Sequence, residues 1–237
     1  MKQCIENPNE LKWDKFWENE LKQKEDRGKD WDKAAVSFHK RAKKAKSVTG
    51  VDSSPKMLEL LNQRAQERGI ENVKTILKPL EDITYEDVGA HDIVLASRSL
   101  NGIIPIKETL KTIDRIATKY VFITLFGPEN WKIEGEFNEY IGRENKHFPG
   151  HNYLFNILFN MGIYANVERL DIRAYREYDN IEEAMDNGKF RLDLLNDEEK
   201  DKLKEYLEKI LTKNPKTGKL YNKKDKADWI LIWWKKD

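Results

Sequence analysis

The chain has 237 residues and a single cysteine, Cys4, so no disulfide can form within it. It has no apolar run near the roughly 20 residues that a membrane-spanning helix needs, and its charged start carries no apolar leader. A cytoplasmic location with no membrane partner is the expectation. It also lacks an excess of charge: 43 Lys and Arg stand against 42 Asp and Glu, a net +1. That balance removes any global electrostatic case for nucleic acid. The basic run Lys40, Arg41, Lys43, Lys44, Lys46 reads more simply as a solvated helix face.

Histidine is scarce, at four residues. His147 and His151 sit four apart, but Pro149 and Gly150 break any helix between them, so a metal-binding pair is not expected. His39 and His91 are isolated, and no nucleophile elbow or P-loop is present. The scarcity with the largest consequence concerns glycine. There are 12, and no two are separated by one residue, so the chain contains no Gly-x-Gly.

What is present is an α/β pattern. Residues 1–46 are highly charged, with Trp13, Phe16, Trp17, Trp31 and Phe38 spaced for helices that dock by aromatic faces. They contain no β-branched run that would make a buried strand. "SVTGV" (47–51) reads as a short strand ending in Asp52. A helix follows, with Ser53 or Ser54 as cap, Pro55 in its first turn, Gly69 just past its end, and Met57, Leu58, Leu61 and Ala65 as its inner stripe.

"NVKTIL" (72–77) is the next strand, and "HDIVLAS" (91–97) is a near-continuous apolar run, the mark of a parallel strand covered on both faces. A helix over 106–118 leads to the strand "YVFITLF" (120–126). Alternation of this kind implies a parallel sheet with right-handed crossovers. Beyond it lie a loop with a short helical segment (128–150) and a helix over 151–161. A strand (165–172), helices near 181–187 and 197–211, and a last strand "ADWILIWW" (227–234) complete the chain.

The pieces "VTGVDSSPKMLELL", "GIENVKTILKPLED" and "HDIVLASRSLNGI", followed by a terminal strand after a long excursion, resemble the class I S-adenosylmethionine-dependent methyltransferases from about Ala42 to the C-terminus. The resemblance implies a Rossmann-like α/β sheet, mostly parallel, whose last strand runs antiparallel beside the fifth. It divides the chain into a charged helical segment (1–46) and a methyltransferase-like domain (47–237), with 128–164 as a lid on the acceptor side. It implies S-adenosylmethionine as cofactor and methyl transfer to an unidentified acceptor.

Residue by residue, Asp52 would accept hydrogen bonds from both ribose hydroxyls. Ser53 and Met57 would flank the ribose or adenine, Leu80 would pack near the adenine, and Glu81 or Asp82 would accept its amino group. Ser97 and Arg98 would face the methyl-transfer site. Each also has a simpler role available. Asp52 sits well at a helix start on dipole grounds alone, Glu81 and Asp82 can open a loop, and Arg98 can pair with an acid to close the sheet end.

The family's first strand ends in acid-x-Gly-x-Gly-x-Gly, which this chain lacks. "WDKAAVSFHK" (31–40) resembles the family's lead-in and "RAKKAKSVTGVD" (41–52) the end of its first helix and second strand, and the two abut. On the order of 30 residues, one β–α unit, is missing between them. That strand is central. Without it the second strand pairs directly with the fourth, the simplest rescue, which would bring Asp52 toward Ser97. Alternatively it borrows a strand from a second copy, giving a homodimer by strand exchange, or it leaves ladder groups unpaired at ~1–3 kcal/mol each. The competing functional reading is a non-catalytic relative acting as a scaffold or partner subunit. A third is an intact enzyme's sequence from which this unit has been removed.

Overall fold

The computed structural model describes residues 12–22, 45–145, 149–170, 175–186, 190 and 195–236. The aromatic residues Trp31 and Phe38, the junction near 38–42, Cys4, His39, His147 and Phe148 lie outside them.

Helix α1 (Trp13–Lys22) precedes strand β1 (Val48–Asp52), helix α2 (Pro55–Glu67) and strand β2 (Val73–Leu77). A 3-10 turn (Leu80–Asp82), a short α3 (Tyr85–Val88), β3 (His91–Ser97), α4 (Ile106–Ile116) and β4 (Ala117–Phe126) follow. Next come a second 3-10 turn (Pro128–Trp131), α5 (Lys132–Tyr140), α6 (His151–Asn160) and β5 (Asn166–Leu170). The chain ends with β6 (Tyr175–Tyr178), α7 (Ile181–Met185), α8 (Asp197–Ile210), β7 (Thr212–Lys213), β8 (Leu220–Lys226) and β9 (Trp229–Lys235).

Local chemistry explains the element ends. Ser54 caps α2 by accepting a hydrogen bond from Met57 N at 3.3 Å, and Pro55 opens the helix. Asn196 and Glu199 cap α8 reciprocally, as an Asn-x-x-Glu sequence should. Gly50 lets α2 close on β1: a Cβ there would run into the Leu61 side chain.

The main sheet has four strands in the order β3-β4-β9-β5. Strand β4 runs parallel to β3, while β9 is antiparallel to both β4 and β5, which is the expected mostly parallel arrangement with an antiparallel last strand. One face is closed by α1, α4 and α6 over a core that includes Trp17, Leu110, Val121, Ile123, Leu154, Leu158, Ile232 and Trp234. Burying each such side chain contributes ~1.5–3 kcal/mol. Trp17 docks α1 as its aromatic spacing predicts: it is fully buried, and its indole N–H donates to Ile103 O at 2.8 Å.

A second core joins α5, α7 and α8 to a three-stranded antiparallel sheet, β6-β8-β7, around Ile133, Phe137, Tyr178, Ala184, Leu203 and Leu207. Its hinge to the main sheet is a buried polar network. Arg176 donates to Asp225 at 3.0 Å and to Asn130 at 2.8 Å, and Tyr178 donates to Asp225 at 2.8 Å. Buried carboxylates and amides hold such positions only when hydrogen-bonded, and here Asp225 and Asn130 are.

The expected direct pairing of the second and fourth strands is not found. Strands β1 and β2 form a separate two-stranded parallel sheet, and β1 makes no ladder with β3. Among the described residues no strand lies between them. Coverage of "HDIVLAS" on both faces is not found either: Ile93 and Leu95 remain 54% and 38% exposed. The reason is common to both corrections. A β–α unit would supply the strand between β1 and β3 together with a helix over that face, and the described chain has neither.

Candidate functional site

In an open α/β sheet, ligands settle at the carboxyl ends of the parallel strands. Three such ends carry the residues singled out above. Asp52 closes β1, the 3-10 turn Leu80–Asp82 follows β2, and Ser97 with Arg98 closes β3.

Asp52 is half-buried and does two things. Its Oδ1 accepts the Ser54 amide at 2.8 Å, fixing the turn into α2, and its backbone carbonyl accepts Lys78 N at 3.1 Å. No partner is present for Oδ2 among the described residues. The simple helix-start role is therefore real for one oxygen, and the other is available. Ser53 is exposed beside it, and Met57 is half-buried on the first turn of α2.

Leu80 packs against the main core, while Glu81 and Asp82 are exposed and make no side-chain bond among the described residues. Nearby, the Asp87 carboxylate accepts from Lys78 Nζ at 2.8 Å and from Thr84 N and Oγ1 at 2.8 and 3.0 Å. Those bonds, the Lys78 one first, hold its pKa down at about 2.

Ser97 and Thr124 share a 2.9 Å hydroxyl bond across β3 and β4. Arg98 carries the pairing one step further, donating its amide to Thr124 O at 2.9 Å. It does so with φ of +58°, making it the one non-glycine in the left-handed region among the described residues. Such a conformation costs on the order of 1–3 kcal/mol and clusters at functional sites.

The Arg98 side chain lies over aromatic rings. Its guanidinium carbon is 4.7 Å from the Trp229 ring centroid and 5.8 Å from that of Phe126. Its Nε is buried with no hydrogen-bond partner, as is Oδ1 of Asn101 three residues on. Burial lowers the guanidinium pKa, but an arginine keeps its charge. The acid pairing expected as its simple role is absent among the described residues.

The acids that flank this end are otherwise engaged. Asp228, with a side chain only 2% exposed, accepts from Arg169 Nε at 2.7 Å and from Glu129 N at 3.0 Å. Gly127 permits this: a Cβ there would occupy the space of the Asp228 carboxylate. Sequence reasoning missed Phe126, Trp229, Arg169 and Asp228. A signal existed, because antiparallel pairing of β4 with β9 places the last residue of one against the first of the other, Phe126 against Trp229.

The residues present fit the nucleoside half of S-adenosylmethionine. Among the described residues Asp52 keeps an unengaged carboxylate oxygen at the end of β1, and Glu81 and Asp82 are unpartnered acceptors in the 3-10 turn after the adjacent strand β2. The glycine loop that would hold the methionine half is absent.

Comparison with known proteins gives a consistent picture. Residues 33–209 match the family described as "Methyltransferase domain". An uncharacterized protein of Haemophilus influenzae is 31% identical over 197 residues, 83% of this chain and 70% of that one. The crystal structure of a putative methyltransferase from Bacillus halodurans superimposes with a TM-score of 0.51 at 14% identity, covering 80% of this chain and 83% of that chain. The YcgJ protein of Bacillus subtilis gives 0.47 at 14% identity over 82% of this chain and 84% of its own. With three-quarters of its length matched to that family, this chain belongs to the class I S-adenosylmethionine-dependent methyltransferases.

Proposed function

We propose that the chain binds S-adenosylmethionine across the ends of β1, β2 and β3 and transfers its methyl group to a small acceptor. The observation that carries this reading is Asp52: a carboxylate at the end of a parallel strand, with one oxygen fixed by the following helix and the other unengaged. Anchored in this way, a carboxylate presents a rotationally fixed acceptor to a ribose hydroxyl. Ser53 and Met57 flank it, Leu80 supplies an apolar surface, and Glu81 or Asp82 offers an acceptor for the adenine amino group. The bound cofactor supplies an electrophilic methyl on a sulfonium, so the protein's task is alignment. Ser97 and Arg98 stand where the acceptor would be aligned.

Calorimetric titration with S-adenosylhomocysteine tests the reading. Micromolar binding, lost in Asp52→Ala and weakened less in Asp52→Asn, is the expected result. No binding at millimolar nucleoside would sink it.

Two observations favour a second reading, a non-catalytic relative serving as a scaffold or partner subunit. The glycine loop is absent from the sequence, and β1 stands apart from β3. A folded chain that fails to bind S-adenosylhomocysteine would support it.

A further inference from the structure

Arg98 is a half-buried cation with no acid partner among the described residues. Its guanidinium rests on Trp229 and Phe126, its Nε has no acceptor, and its backbone is held in a conformation that side chains rarely adopt. Rings that face a guanidinium offset part of the desolvation cost, but a buried donor without an acceptor remains unfavourable. The described acids near it do not serve. Asp228, adjacent to Trp229, is committed to Arg169 and the Glu129 amide, and Asp225 is committed to Arg176 and Tyr178. No described residue satisfies the orphaned donor, and together with the strained backbone it points to a ligand that completes the site.

The direction of the side chain says which ligand. From the end of β3 it crosses the end of β4 to reach Trp229 on β9. That is away from β1 and Asp52, the side where the nucleoside would lie. We propose that Arg98 binds a carboxylate of the methyl acceptor, and that the acceptor is a small carboxylic acid. The assignment rests on the reading of this site as a methyltransferase centre. Trp229 and Phe126 form the apolar wall along which the acid would lie. The guanidinium fork provides charge-assisted bonds to its oxygens. Asn101 Oδ1, the second orphaned atom of the same loop, accepts from an N–H or O–H of that ligand.

The test is a proton–nitrogen correlation spectrum of the full chain that observes arginine Nε–H groups, with the Arg98→Lys protein identifying the Arg98 signal. Benzoate is the probe and benzamide its neutral counterpart. Benzoate at millimolar concentration is expected to shift the Arg98 signal with or without S-adenosylhomocysteine, while benzamide leaves it in place. Arg98→Met should weaken benzoate by about tenfold, as loss of a charge-assisted contact predicts, and Arg98→Lys should weaken it less.

If S-adenosylhomocysteine itself moves the signal and displaces benzoate, the anion belongs to the cofactor and the acceptor assignment falls. If benzoate moves nothing, the anion site falls. If benzoate binds but S-adenosylhomocysteine does not bind by calorimetry, the anion site stands and the methyltransferase reading is what fails.

Discussion

Thr49 Oγ1 and His91 Nε2 lie 3.0 Å apart and tie the two-stranded sheet to the four-stranded one. Thr49 belongs to β1 and His91 opens β3, two strands with no strand between them among the described residues. The other ring nitrogen of His91 is 3.3 Å from Gly89 O, which orients the ring. Where a backbone ladder is not found among the described residues, a side-chain bond joins the two strands.

Thr49→Val removes that bond and keeps the shape. A net loss of ~0.5–1.5 kcal/mol is expected, read as a fall in Tm by calorimetry. Because β1 carries Asp52 at its other end, the same variant should weaken S-adenosylhomocysteine by a few-fold while leaving the Arg98 region unperturbed. Unchanged stability and unchanged affinity would mean that the two sheets are held together by something else.

Among the described residues no strand pairs the facing edges of β1 and β3, and with Ile93 and Leu95 exposed on β3 these edges are a template for another strand. We propose that a second copy of the chain supplies it by strand exchange. Light scattering should then give twice the 28.0 kDa chain mass, and the dimer should persist on dilution because unpairing it exposes central-strand backbone. A mass of one chain at micromolar concentration would exclude the exchange.

Much of this architecture was legible in the sequence, and the misses have a common cause. Periodic apolar runs located β3 at its observed bounds of 91–97 and placed α4, α6, α8 and β9 within two or three residues. The strands β6 and β8 were not seen, because "YREY" and "LYNKKDK" carry neither alternation nor an apolar run. They are strands because Asp225, Arg176 and Tyr178 bond across them, a tertiary effect that local pattern does not encode. Asp52 was legible because an acid at a strand end before a capped helix is a local arrangement. The Arg98 cradle was not, since it joins residues 98, 126 and 229.

Gly127 faces the Asp228 carboxylate so closely that any Cβ must displace it. Gly127→Ala should cost ~1–3 kcal/mol from overpacking alone, and more as the bonds from Arg169 and the Glu129 amide are lost. At roughly 2–4 °C per kcal/mol for a chain of this size, the Tm should drop by several degrees. In an Asp228→Ala background the same glycine change should cost much less, since the clash is gone. Additive losses would contradict the contact.

Asp87 gives a pH signature. Its folded pKa of about 2 lies below the unfolded carboxylate value of about 3.9, because Lys78 and Thr84 donate to the charged form. The folded state thus releases the proton more readily than the unfolded one. The stability gained is fully present above the unfolded value and is lost as pH falls toward 2. Denaturant midpoints between pH 5 and pH 2 should therefore decline more steeply for the native chain than for Asp87→Asn, the two curves converging at the acid end. The capping pair Thr84 and Asp87 also opens α3, so Asp87→Asn should be less stable than the native chain at neutral pH. Parallel curves across this window would show that Asp87 titrates alike in both states, and the hydrogen bonds assigned to it would have to be withdrawn.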